Sequence, residues 1–265
     1  MSSEAFCREA GAPAGSDTHY ALLFHRRADH RALCALLALR REILDIAEGS
    51  ADPGVRGMRR SWWQEEILRA AGGTARHPVG IELQPLALQG VVDPAALIEF
   101  SERAAPPGLW LEGDADAWLA EIEAIHAPVW RAVAAVCTQE GAAAADIVRA
   151  GTLVEAVYRL RAAGEALRTG SGPLPRTLTS GAAAIDAASL ARLAERLAAE
   201  LHGQEAVLAS KEPVPVFVAV MAQLATALSR EIAADPDSVL RGRIALTPLR
   251  KLWIAWRTHR RLGRG

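Results

Sequence analysis

The sequence predicts an all-α protein, and three observations carry that reading. Apolar residues recur at three- and four-residue steps through most of the 265 positions, the period of helices that bury one stripe. Runs alternating apolar and polar are almost missing, and no Asn-Gly or Asp-Gly turn joins two of them, so hairpins have no signal. Stretches rich in Gly, Pro and Ser, at 10–16, 49–57, 104–108, 169–180 and 234–237, are short enough to join neighbouring helices. None resembles an interdomain linker. With 51% of its residues apolar, a chain of this length can bury one large core, so a single domain is expected.

Taken in order, residues 1–18 carry an early acid and no apolar run, which argues against a secretory signal and predicts a disordered or loosely attached terminus before a helical domain over 19–265. Between Ala32 and Ala47 the residues Leu33, Leu36, Leu37, Leu39, Ile43, Leu44 and Ile46 cover most of a helix's circumference, so that helix is expected to be deeply buried. Ala51-Asp52-Pro53-Gly54 reads as its stop. A second helix holds Trp62, Trp63 and Ile67 and ends at Gly72-Gly73, and His77-Pro78 opens the next. Trp118, Ile122, Ile125, Val129, Val133 and Val136 mark an amphipathic helix with a kink expected at Pro128. Another follows Gly151. Leu190, Leu193, Leu197 and Leu201 give a stripe against the core, closed by Gly203, and Phe217, Val220, Met221, Leu224 and Leu228 give one more. Thr247 as N-cap and Pro248 in the first turn start the last helix.

Charge narrows the classes. The formal net charge is −1, which offers no footprint for nucleic acid. After Arg241, however, no acid opposes Arg243, Arg250, Lys251, Arg257, Arg260, Arg261 and Arg264. Cys7, Cys34 and Cys137 are odd in number and widely spaced, suggesting neither a disulfide framework nor a zinc site, and a reducing cytosol fits. The apolar run Val216 to Ala222 is far below the roughly 20 residues of a membrane helix. His25, His30 and His126 lack a second His at i+4, so metal ligation is not expected of them.

The motif that bears on function is Leu160 to Pro175, LRAAGEALRTGSGPLP. It resembles the squalene/phytoene synthase segment L-R-D-x-G-E-D-x-x-R-G-x-x-x-L-P. Leu160, Arg161, Gly164, Glu165, Gly170, Leu174 and Pro175 fit the frame, while Ala162 and Ala166 stand where the family has its two aspartates. The family's other half, R-x-x-D-D-x-x-D, is similar to Arg41 through Glu48, with Leu44 in place of one aspartate, Asp45 kept and Glu48 for the third. Trp62-Trp63-Gln64-Glu65-Glu66 with His77-Pro78-Val79, Tyr20 to Phe24, Gly151 and Pro248 to Arg257 also resemble family blocks, over about 20 to 257. Gly151 matches a glycine that lets two helices approach closely, and Glu155 and Tyr158 replace the family's Gln and Asn.

The resemblance implies an isoprenoid-synthase-like helical bundle. It also implies the chemistry to look for, because ionising a prenyl diphosphate calls for magnesium bridged between carboxylates and phosphate oxygens. With Ala162 and Ala166 unable to donate, no cofactor is expected. The implied role is that of a catalytically degenerate relative that binds an isoprenoid or other lipid or acts as an assembly factor, as in a branch that lacks the aspartates and assists assembly of respiratory complex I. The competing reading is a magnesium-dependent prenyltransferase using Asp45, Glu48 and Glu165, with Arg41, Arg161 and Tyr158 on the substrate. A tunnel that holds lipid without metal is a third. Arg161 either faces a phosphate or neutralises Glu165 or Glu155. Trp62 and Trp63 read as packing residues, with Glu65 and Glu66 solvated or paired with Arg59 and Arg60. Trp253 and Trp256 share a face that core packing should bury, leaving the basic residues to meet anionic lipid or a protein partner, for a cytoplasmic protein peripheral to the inner membrane.

Overall fold

A computed structural model of the protein describes residues 1–48, 52–104, 110–138, 144–170, 174–179, 185–242 and 244–263, apart from the side chains of residues 47 and 48. Among the described residues there are thirteen helices and one pair of two-residue strands, as an all-α chain predicts.

The amino terminus departs from expectation. Instead of lying loose, residues 3–11 form α1 (Ser3–Gly11), whose N-cap Ser2 accepts a bond from the Ala5 N–H. α1 packs on α3 (Arg27–Glu48) and α5 (Pro78–Leu88), burying Cys7, Gly11 and Ala12. A methyl group on Gly11 would overlap the Cys34 carbonyl and the Ala38 amide, so the close approach requires glycine. After α2 (Asp17–Leu22), helix α3 is as deeply buried as its apolar residues predict, with Leu33, Leu36 and Leu39 wholly enclosed.

Asp52-Pro53-Gly54, read from sequence as a stop, is in fact a start. Asp52, His77 and Asp93 each accept a backbone N–H two residues on, with Pro in the first turn, to open α4 (Pro53–Ala71), α5 and α6 (Pro94–Arg103). Glu66 is neither solvated nor paired with Arg59 or Arg60. It is fully buried on α4, accepts the backbone N–H groups of Arg76 (2.6 Å) and His77 (2.7 Å), and pairs with Arg69 at 3.2 Å. A carboxylate thus holds the loop that leads into α5. Glu65 is solvated, as expected, and pairs with Arg69. Trp63 is buried edge-on against His77, while Trp62 is largely exposed.

β1 (Trp110–Leu111) pairs in parallel with β2 (Leu174–Pro175), so the Leu-Pro end of the motif is a structural join. Between them run α7 (Ala115–Cys137), α8 (Ala144–Arg161) and α9 (Ala163–Thr169). α7 passes through Pro128 without a break. The motif, by contrast, is not one helix: Ala162 ends α8 and caps α9. The expected turn at Gly170-Ser171-Gly172 lies mostly outside the described residues, as do parts of the loops at 49–57, 104–108 and 169–180. A single 3-10 turn (Arg176–Leu178) follows β2.

α10 (Ala187–Ala209) continues past Gly203, and its leucine stripe packs on α11 (Val216–Ala234). α11 is long and apolar enough by composition to cross a membrane, but it packs against α10, α8, α13 (Pro248–Leu262) and α2 as a core helix. α12 (Pro236–Arg241), capped by Asp235, fills the predicted loop at 234–237. α8 is the hub: it touches α7, α10 and α11, and every residue from Ala150 to Val157 is buried. Thr247 is the N-cap of α13 by position, without a side-chain bond. Trp253 and Trp256, expected in the core, are exposed. The stripe that α13 buries holds Lys251, Ala255 and Thr258.

Candidate functional site

The site is built on the side of α8 that faces α3. Glu155 is buried on α8, and its carboxylate pairs with the Arg40 guanidinium of α3 and accepts the Trp130 indole N–H from α7 at 3.3 Å. Burial is the largest single influence and pushes the Glu155 carboxyl up, but the Arg40 charge and hydrogen bond, with His126 and Arg159, together outweigh it and the net direction is down. Glu155 is therefore an anion held between three helices. His126, one turn before Trp130, is fully enclosed with Phe100 beside it, and neither ring nitrogen has a partner among the described residues. Burial drives its pKa down to about 3, so it is neutral at physiological pH.

Gly151 lies one turn before Glu155. A Cβ there would overlap the Trp130 indole, so this glycine permits the α7–α8 contact, as the sequence suggests. Gly164 plays the same part behind α9, where a methyl group would strike the Val239 carbonyl of α12.

The proposed site residues divide. Because i and i+4 stack on one helix face, Arg40 and Leu44 form the row of α3 that looks toward α8. Asp45 lies about 100° round the helix from Leu44. It is 51% exposed and pairs at 3.6 Å with Arg41, which donates to the Ala10 carbonyl at the end of α1. Asp45 and Arg41 thus sit together on the α1 side, away from Glu155. The Glu48 side chain lies outside the described residues. Glu165, in the first turn of α9, is exposed. Ala162 is partly exposed at the break between α8 and α9, and Ala166 is buried; neither supplies an oxygen.

Tyr158 and Arg161 do meet, with the guanidinium carbon 4.9 Å from the ring centroid. The Tyr158 hydroxyl, however, is engaged: it donates to Asp17 Oδ2 at 2.8 Å. Asp17 Oδ1 in turn lies 2.9 Å from Lys251 Nζ, which also donates to the Gly15 carbonyl. Burial first and the Asp17 carboxylate second raise the Tyr158 pKa well above 10, so the phenol is a fixed donor. Of the two partners expected for Arg161, Glu155 is taken by Arg40.

Sequence reasoning missed Arg40, Trp130, Asp17 and Lys251, and it weighed His126 only as a ligand. The signal available was weak: Glu155 at the family's Gln position is an acid in an otherwise apolar stretch, which demands a partner.

Magnesium takes hard oxygen donors in near-octahedral array. Among the described residues, which leave out the Glu48 side chain, the donor set does not fit a bridged cluster. Among the described residues no group of three or more His, Cys, Asp or Glu could hold a metal ion, and the retained Asp45 is turned to Arg41.

No curated protein sequence matches this chain. Solved structures do. The dehydrosqualene synthase solved in complex with ligand superposes with a TM-score of 0.76 at 13% identity, covering 99% of this chain and 97% of its own. The squalene synthase HpnC from Alicyclobacillus acidocaldarius gives 0.70 at 16% identity, covering 91% and 95%. At such identities these likenesses speak for the fold, and a match to the squalene/phytoene synthase family over residues 12–250 speaks for descent. With that match over most of its length, and a bundle that superposes on two synthases nearly end to end, the chain belongs to the squalene/phytoene synthase family.

Proposed function

We propose that this protein is a catalytically degenerate family member that binds an isoprenoid or other lipid, or serves as an assembly factor, in place of condensing two prenyl diphosphates. The observation that carries this reading is the Arg40–Glu155 pair, bound by Trp130, on the faces of α3 and α8 that look toward each other. A carboxylate already neutralised by an arginine and an indole is a poor metal ligand. The row that should supply aspartates holds Leu44 on α3 and Ala162 on α8–α9. What remains offers a metal no anionic oxygen: a neutral His126, a Tyr158 hydroxyl fixed on Asp17 and the guanidinium of Arg161 over its ring.

The test is direct. Purified protein with magnesium and farnesyl or geranylgeranyl diphosphate should release no pyrophosphate above background; release at an enzymatic rate overturns the proposal. Titration with a nonhydrolysable prenyl diphosphate and with an uncharged isoprenoid then separates a surviving phosphate site, which prefers the charged ligand, from an apolar tunnel, which does not. An assembly role, respiratory complexes included, is the protein-partner form of the same reading.

The family match favours one competitor, a magnesium-dependent prenyltransferase with a reduced metal set of Asp45, Glu48 and Glu165. Under it Asp45→Ala abolishes product formation.

A further inference from the structure

α13 has an inward row and an outward apolar stripe on opposite sides. Lys251, Ala255, Thr258 and Leu262, at i, i+4, i+7 and i+11, face the protein. Leu249, Leu252, Trp253 and Trp256, at i, i+3, i+4 and i+7, face outward, with Leu249 80% and Trp253 55% exposed. The two indoles lie together, centroids 5.1 Å apart, and the Arg260 guanidinium stands over Trp256 at 5.7 Å. A helix normally turns its polar side to water, so a row of Leu and Trp left outside calls for an occupant.

Charge indicates which occupant. No acid follows Arg241 in the sequence. Arg250 and Arg261 are held by Glu231 and Glu205 on neighbouring helices, but among the described residues Arg257 and Arg260 have no carboxylate partner and lie exposed beside the tryptophans. Indoles and leucines flanked by arginines along one side of a helix match the chemistry of a bilayer interface, where the ring enters the headgroup layer and the cation meets lipid phosphate. At 15 residues α13 is too short to span and suited to lie flat.

We propose that the outward stripe of α13 is a docking surface for an anionic lipid bilayer. The idea does not rest on the reading of the interior, because vesicles without isoprenoid test it. The intact chain is sedimented with vesicles of phosphatidylcholine alone and with vesicles in which about a third of the lipid is phosphatidylglycerol. Binding to the anionic vesicles should be at least about tenfold tighter and should weaken with salt. Trp253→Glu/Trp256→Glu should abolish it, and Arg257→Glu/Arg260→Glu should remove the preference for anionic lipid even if the first variant fails to fold. Met58→Glu/Trp62→Glu, on the separate exposed row of α4, should leave binding intact. Three results overturn the proposal: no binding by the parent protein, binding that survives both α13 variants, or equal loss in the α4 control. A dimer in lipid-free solution that the α13 variants dissolve also overturns it, by assigning the stripe to a second copy.

Discussion

Two sets of positions around α8 have been held to different standards. At the packing positions, Gly151 meets Trp130, Leu160 is enclosed, and past the break Gly164 meets the backbone of α12; neither glycine has room for an added atom. At the ligand positions, where the family resemblance places magnesium ligands, Ala162 and Leu44 are only partly enclosed, and nearby an arginine–glutamate pair joins α3 to α8. The lesson is that most of the surviving frame of the motif is steric. Leu160, Gly164, Leu174 and Pro175 persist because neighbouring elements press on them, whereas the aspartate positions answer only to chemistry.

Four tests would break or sharpen that contrast. The largest effect belongs to the packing positions: Gly151→Ala drives a methyl into an indole that has nowhere to go, and should cost about 3 kcal/mol in urea unfolding, with Gly164→Ala close behind. If Gly151→Ala were neutral, the packing positions would be no more constrained than the ligand positions. Next, Glu155→Leu strands the Arg40 charge and should also cost about 3 kcal/mol, whereas Arg40→Met/Glu155→Leu should cost clearly less. A double-mutant cycle that shows no coupling would dissolve the ion pair as the organiser of the α3–α8 contact.

The third effect is acid sensitivity. His126 is neutral in the folded chain and titrates near its ordinary value of 6.5 once unfolded. Its contribution is therefore complete above that value and is lost as the pH falls from 6.5 toward 3, by up to about 1.4 kcal/mol per unit. His25 and His77, also lowered by burial, act in the same direction. His126→Leu should make the fall in urea midpoint between about pH 7 and pH 5 shallower by close to one proton's worth. An unchanged slope would assign the sensitivity to the other two histidines. The smallest effect is Asp45→Ala: a half-exposed pair with Arg41 should change stability by less than about 0.5 kcal/mol. Binding of a prenyl diphosphate, measured by titration, should not change either.

Much of the fold was legible because helical period is a local property. Leu33 to Ile46 and the leucines of α10 announced buried stripes, and both are buried. Gly151 was legible through the family resemblance, although the helix expected to follow it in fact runs through it. The Arg40–Glu155 pair was not. Arg40 and Glu155 stand 115 residues apart, and nothing in either segment names the other. Glu66 looked like one more surface acid on α4, because its use as an acceptor for Arg76 and His77 depends on how the chain turns after Gly73. The amino terminus was underrated for the opposite reason: α1 is short and only gains a buried face once α3 is beside it.

The tryptophans of α13 show most clearly what a pattern leaves open, and Lys251 is what closes the choice. By apolar area alone, α13 would roll so that Leu252, Trp253 and Trp256 entered the protein. Beside the Arg250–Glu231 and Arg261–Glu205 pairs, what opposes that rotation is one buried ammonium, tied to Asp17 and the Gly15 carbonyl, with Asp17 tied onward to Tyr158. Lys251 is thus a detent: it holds the helix at the angle that keeps the indoles outside, and the same tie clamps the interior phenol. An uncharged residue such as methionine at 251 would release both, freeing the helix to roll and Tyr158 to swing, so that the outer face and the interior of the protein would change together.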